Sequence, residues 1–258
     1  MNKERIENYI NNFYGYGNLA SQIWFIGIEE GSNTNSKEEL YKRIEVWEEL
    51  SSKHTVDCKE FHLKIKMGNE KPFTVGNIQA TWGRYIDLII QLTKNKKPEK
   101  IEKRTFQLND LGRLNANHCM IELYPMPCRD RKSWSYSQLR DILPYLSSKI
   151  EYENFVSEFR VQNLKKLINQ YKPQIVIFNS AGEKEGLIKD WNRIIGDNLK
   201  KINVQTKSGK GDFFFKIYKD NVKYYSLHNL KYEAIEVKNN IIDDFKSNSK
   251  GDFIKDQG

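Results

Sequence analysis

Gln22-Ile23-Trp24-Phe25-Ile26-Gly27-Ile28-Glu29-Glu30-Gly31 reads as a strand that ends in an acidic turn. From Ile23 to Ile28 every residue is apolar or glycine, so the strand has no polar face and belongs in a sheet covered on both sides. It then stops at two carboxylates. In a parallel sheet the carboxyl ends of the strands are where ligands sit. Glu29 and Glu30 are therefore the first candidate site residues.

Outward from this strand the chain alternates. Three further apolar strands are expected: Cys119 to Tyr124, stopped by Pro125-Met126-Pro127; Gln174 to Phe178, opened by Pro173; and Lys223 to Leu227. The last is the second arm of a hairpin with Asp212 to Lys219, turned at Asp220-Asn221. Helical spacing of apolar residues predicts helices near 3–13, 80–92, 136–147, 152–171, 183–195 and 232–245. Ser36 with Glu39 forms a capping box that opens another, through about Leu50. Residues 51–78 carry no clear period, and 94–104 reads as a basic loop. Strands alternating with helices predict an α/β fold, a three-layer α/β/α sandwich around a central four-stranded, mainly parallel sheet. No linker composition appears, so one domain is expected over 1–246, followed by a polar tail at 247–258.

Composition narrows the class. The 258 residues carry a net charge of +8 with 12% aromatic residues, compatible with a surface that binds phosphate backbones. Cys58, Cys119 and Cys128 are too widely spaced for a disulfide framework or a metal pair, and read as reduced thiols of a cytoplasmic protein. The N-terminal stretch does not read as a signal peptide, and no apolar run approaches the roughly 18 residues of a membrane span. No P-loop or G-x-G-x-x-G appears, so no nucleotide cofactor is expected.

Four strand ends are thus expected along one sheet edge, carrying Glu29 and Glu30, Glu122, Asn179 and Ser180, and His228 and Asn229. The ordered set Gly27-Ile28-Glu29-Glu30-Gly31, Ile121-Glu122, Pro173 to Ser180 and Leu227-His228-Asn229 resembles the uracil-DNA glycosylase superfamily over about residues 20–240. The chain departs from that pattern where Glu30 replaces a proline, Glu122 replaces the amide of the second strand, and Asn229-Leu230 replaces proline and serine. The resemblance implies a metal-free, cofactor-free, monomeric hydrolase of the N-glycosidic bond in DNA. It implies that Glu29 positions water, with Glu30 as the fallback if the loop is shifted by one. It implies that Glu122 reads the base and that His228 stabilises the leaving base.

The chemistry fits those residue types. Breaking an N-glycosidic bond develops positive charge on the sugar, which a carboxylate stabilises, and negative charge on the base, which a donor such as imidazole stabilises. An ionised Glu122 only accepts hydrogen bonds. It would repel the carbonyls of uracil and favour the exocyclic amine of a cytosine-type base, bulky phage-type modifications included. Pairing of Glu122 with Arg129 is the plainer alternative. An extruded base needs an aromatic platform, for which Phe73 leads, followed by Trp82, Tyr124 and Trp134. Asn179 and Asn229 stand beside the base site, and Arg129, Arg131 and Lys132 are placed to grip phosphates.

Three other readings remain at this point. The chain is a non-catalytic nucleic-acid-binding member of the same fold, an esterase-like hydrolase using Ser32 with His228, or a metal-dependent nuclease with Glu29, Glu30 and Glu122 around a divalent cation.

Overall fold

The computed structural model describes residues 1–179, 185–206, 211–227 and 235–247. In chain order its elements begin with α1 (Lys3–Asn12), β1 (Gly15–Gly17), β2 (Ile23–Gly31), α2 (Lys37–Glu49) and β3 (Thr55–Val56). There follow α3 (Cys58–Ile65), α4 (Lys71–Thr74), α5 (Ala80–Lys94), α6 (Lys100–Asn109) and β4 (His118–Cys128). The chain continues with α7 (Lys149–Tyr171), β5 (Ile175–Asn179), α8 (Glu185–Ile195), β6 (Lys200–Gln205), β7 (Gly211–Lys219), β8 (Val222–Leu227) and α9 (Ile235–Ser247).

The apolar run opened above is β2, buried from Ile23 through Ile28. Adjacent side chains of a strand point to opposite faces. Phe25 stacks on Tyr85 of α5, with centroids 4.3 Å apart, while Trp24 meets Tyr171 of α7 at 6.2 Å. Helices therefore cover both faces.

The sheet is eight-stranded and mixed, in the order β3-β1-β4-β2-β5-β8-β7-β6. This corrects the expectation of four strands. β4, β2, β5 and β8 do run parallel, side by side, at its centre. The additions are antiparallel or very short: β1 lies antiparallel on β4, two-residue β3 pairs with β1, and β7 and β6 continue the edge beyond β8. β1 and β3 are too short for any period to show, and β6 buries only Val204, which hides it among polar residues.

Other boundaries move for identifiable reasons. β4 runs on through Pro125 and Pro127 to Cys128. Proline is tolerated there because β1 pairs only with Cys119, Met120 and Ile121, leaving no ladder for the missing N–H groups on that side. The helix expected at 136–147 is two short 3-10 turns, Ser137–Leu139 and Pro144–Leu146, because Pro144 interrupts it. The basic loop at 94–104 is partly helix α6, whose first turn is held by Glu102 accepting a hydrogen bond from the Glu99 amide at 2.9 Å. The ambiguous stretch 51–78 holds β3, α3 and α4. The β7–β8 hairpin is as expected, with φ of 50° at Asp220 and 65° at Asn221, the positive values a tight turn of this hand needs.

β2 lies inside the parallel set, with β4 on one side and β5 on the other. The chain therefore reverses its winding at β2, and the crevice beyond the carboxyl ends of β4, β2 and β5 is a topological switch point.

Candidate active site

That crevice holds a pocket of about 230 Å³ lined by Gly27, Glu29, Tyr85, Glu122, Arg129 and Asn179, among others. Strand register brings these residues together. Gly27 pairs with Glu122 across β2 and β4, and Ile26 pairs with Phe178, the residue before Asn179, across β2 and β5. Glycine at 27 is required by close approach, since a Cβ there would come within 2.2 Å of Glu122 Oε2.

Glu29 points to two cations. Lys149 Nζ donates to its Oε1 at 2.7 Å, and Arg131 Nη1 lies 3.2 Å from its Oε2. Its side chain is only 7% exposed. Burial pushes its pKa up, Lys149 and Arg131 pull it back, and the net direction is upward. Lys149, in the first turn of α7, carries no sequence signal of this role, because its partner lies 120 residues away. Arg131 is also shared with Glu153 at 2.8 Å.

Among the described residues Glu122 forms no salt bridge. Its Oε2 is buried with no hydrogen-bond partner among the described residues. Burial first, and the nearby charges of Glu30 and Glu29 next, push its pKa well above the carboxylate range. Glu122 does not pair with Arg129, and its surroundings disfavour the charged form, because only the field of Arg160 opposes burial and the two nearby acids.

Asn179 joins the pocket as expected, and its Nδ2 donates to the Tyr85 hydroxyl at 3.2 Å. The aromatic ring of this pocket is Tyr85. Its helical spacing marks Tyr85 as an apolar-face residue, and it is one, stacked on Phe25 with its hydroxyl end on the pocket. Phe73 is not there. It packs into the core against Trp82 at 5.5 Å and His62 at 5.8 Å. Tyr124 and Trp134 both pack on Tyr152 of α7. Arg129 lines the pocket and Lys132 is exposed beside it. His228 and Asn229 lie outside the described residues. The described part of β8 ends at Leu227, which pairs with Asn179.

Glu30 turns elsewhere, which corrects its role as a fallback for Glu29. Its Oε2 accepts from Arg43 Nη1 at 2.7 Å and from the Tyr16 hydroxyl at 2.5 Å, and its Oε1 meets His62 Nε2 at 2.9 Å. Arg43 is fully buried and is held also by Glu39 and Asn69. Burial raises the pKa of Glu30, but the fields of Arg43 and His62 and the bonds from His62 and Tyr16 outweigh it and hold the carboxyl below the usual range. Glu39 is drawn into the same network. Its carboxylate takes Ser32, Thr34 and Arg43 instead of returning to the Ser36 amide, so only the Ser36 half of the capping box forms. His62 had no sequence signal, but Glu39 and Arg43, four apart on the helix expected from Ser36, did.

This network sits beside a second cavity of about 340 Å³, lined by Glu30, His62, Asn69 and Trp82 among others. A cleft of about 790 Å³ lies between α8 and β7, with charged members Lys189, Asp197 and Arg193, the last paired with Glu158 and Asp190.

Because Glu30 is held ionised, its contribution to stability is full above the ordinary carboxylate pKa of about 4.3 and is lost as pH falls through its depressed folded value. Glu30→Gln is expected to cost about 1–3 kcal/mol at pH 7, since Arg43 keeps Glu39. The deficit should shrink at pH 3. Urea unfolding of both proteins at the two pH values checks this, and an equal deficit at both would refute it.

Two of the other readings lose their geometry. Ser32 Oγ donates to Glu39 Oε2 at 2.8 Å and accepts from the Asn35 amide at 2.7 Å, so it is engaged as a turn residue. Glu29 and Glu30 turn to separate partners, and among the described residues no three acids, histidines or cysteines are grouped to hold a metal ion. Among the described residues no helix is long and apolar enough to cross a membrane. No family model, curated protein or solved structure matches the chain.

Proposed function

We propose that this chain is a DNA glycosylase that hydrolyses the N-glycosidic bond of a base extruded into the Glu29–Glu122–Asn179 pocket. The observation that carries the reading is the pairing of two unlike carboxyls in one small crevice at the switch point. Glu29 is held by cations, while Glu122 is buried without one. At about 230 Å³ the pocket falls below the ~300–1,000 Å³ of ordinary small-molecule sites and suits a single ring.

In this reaction the C1′–N bond breaks with its electron pair on the base, and water oxygen forms the new bond to C1′. Glu29 orients that water, takes its proton and stabilises the positive sugar. A pKa raised toward the working pH favours that role. The departing base needs a donor, and His228, which follows β8 in the chain, takes that role by resemblance to the uracil-DNA glycosylase superfamily. Exposed Lys132 and Arg129, at the pocket rim, are left to hold phosphates, because Arg131 is committed to Glu29 and Glu153.

One observation favours a second reading, a DNA-binding protein without catalysis: the ion pairs on Glu29 make it a less available base. Incubation with single- and double-stranded DNA carrying uracil, cytosine or modified cytosines, followed by alkali, separates the two. Strand breaks at one class of base are expected. Binding without breaks supports the second reading, and neither binding nor breaks rejects both.

A further inference from the structure

Glu122 is a buried carboxyl that, among the described residues, forms no salt bridge. Its carboxyl lies at the junction of β4 and β2, against the bare Cα of Gly27, with one oxygen buried and without a partner. The groups around it come from every packed element. Glu29 and Glu30 approach from β2, Tyr85 from α5 and Arg160 from α7. Arg129 and Arg131 share the pocket lining. The nearer cations are spent: Arg160 donates to backbone carbonyls, and Arg131 pairs with Glu29 and Glu153. With two acids close by and no partner on its buried oxygen, the carboxyl here favours its uncharged form.

We propose that Glu122 works as a carboxylic acid, one donor beside one acceptor, and so lets the pocket take pyrimidines that present either a carbonyl or an amine at that edge. This rests on the glycosylase reading and names its substrate class. A carboxylate only accepts and would refuse the carbonyl edge. A carboxylic acid matches the carbonyl and N–H of a uracil-type base by donating to one and accepting from the other. With its proton on the other oxygen it matches the N3 and amine of a cytosine-type base. Ionisation removes the donor from both matches and sets a carboxylate oxygen against an acceptor of either base.

Two measurements test it. The first needs no DNA. A carboxyl whose pKa is raised by folding binds its proton more tightly in the native state. Stability then falls as pH rises above the ordinary carboxylate range toward the raised value. Wild type should therefore lose stability between pH 5 and 8 relative to Glu122→Gln, which keeps the shape without the proton. Parallel profiles overturn the inference and leave the glycosylase reading standing.

The second compares oligonucleotides carrying one uracil or one cytosine between pH 6 and 9. Binding of both oligonucleotides should weaken roughly tenfold or more with rising pH in wild type, and stay flat in Glu122→Gln. A pH dependence of binding in wild type no steeper than that of Glu122→Gln overturns the inference. Failure to bind either oligonucleotide overturns the glycosylase reading and this inference with it.

Discussion

Glu29→Gln is expected to lower abasic-site formation by about 100- to 10,000-fold while DNA binding changes only a few-fold. Glutamine matches glutamate in shape, so the pocket stays open. What disappears is the negative charge beside the sugar and the ability to take a proton from water. Both are needed only as the bond breaks, so the loss should fall on kcat rather than on binding. Lys149 and Arg131 would then stand with one fewer anion between them. Their freed positive charge should hold DNA at least as well as before and oppose the sugar cation more strongly. A gel-shift assay beside the alkali-cleavage assay reads both effects. Activity retained within threefold would exclude Glu29 from the chemistry. Inactivity in both proteins with binding intact would support the non-catalytic reading.

The centre of the fold was legible because burial on both faces leaves a plain mark. Ile23 to Ile28 and Ile175 to Phe178 have no polar alternation, and each is flanked by helical periods, which together demand a covered parallel sheet. The edges were not legible. β1 and β3 are three and two residues long, and β6 is held by pairing with β7 rather than by burial. Such strands are created by their neighbours, and a local pattern cannot show them. Pro125 and Pro127 misled for a related reason: their cost depends on whether a partner strand faces the missing N–H, which is a tertiary fact.

The candidate site was legible as strand ends and illegible as charge. Glu29, Glu122 and Asn179 come from three strands, and the switch-point rule places them together. Nothing in the sequence tells which of three glutamates is ionised. That depends on Lys149 and Arg131 reaching Glu29, on Arg43 and His62 reaching Glu30, and on nothing comparable reaching Glu122. The choice of Phe73 as platform failed in the same way. Phe73 and Tyr85 are both aromatic and both buried, and only the packing of α5 on β2 puts Tyr85 at the pocket.

The support beneath Glu122 gives the largest expected effect on stability. Arg160 of α7 is fully buried, and its guanidinium donates to the carbonyls of Leu123 at 2.9 Å, Glu122 at 2.7 Å and Phe13 at 2.9 Å. A longer bond of 3.4 Å reaches the Ile10 carbonyl, and the Tyr14 ring lies 3.7 Å from the guanidinium carbon. Ile10 and Phe13 belong to the last turn and cap of α1, whose end carbonyls have no partner within the helix. One side chain thus caps a helix and fastens it to β4. Replacing a buried ion pair by apolar residues is often neutral because both charges leave together. Here the acceptors are backbone and stay behind. Arg160→Met fills much of the volume but strands these carbonyls in the core, so a loss of about 3–5 kcal/mol is expected. That corresponds to a fall in Tm of roughly 6–20 °C for a chain of this size. Arg160→Lys should recover only part of the loss, because one ammonium cannot span acceptors on two elements. Calorimetry on the three proteins decides the matter. A methionine variant within 1 kcal/mol of wild type would show that these carbonyls find other partners.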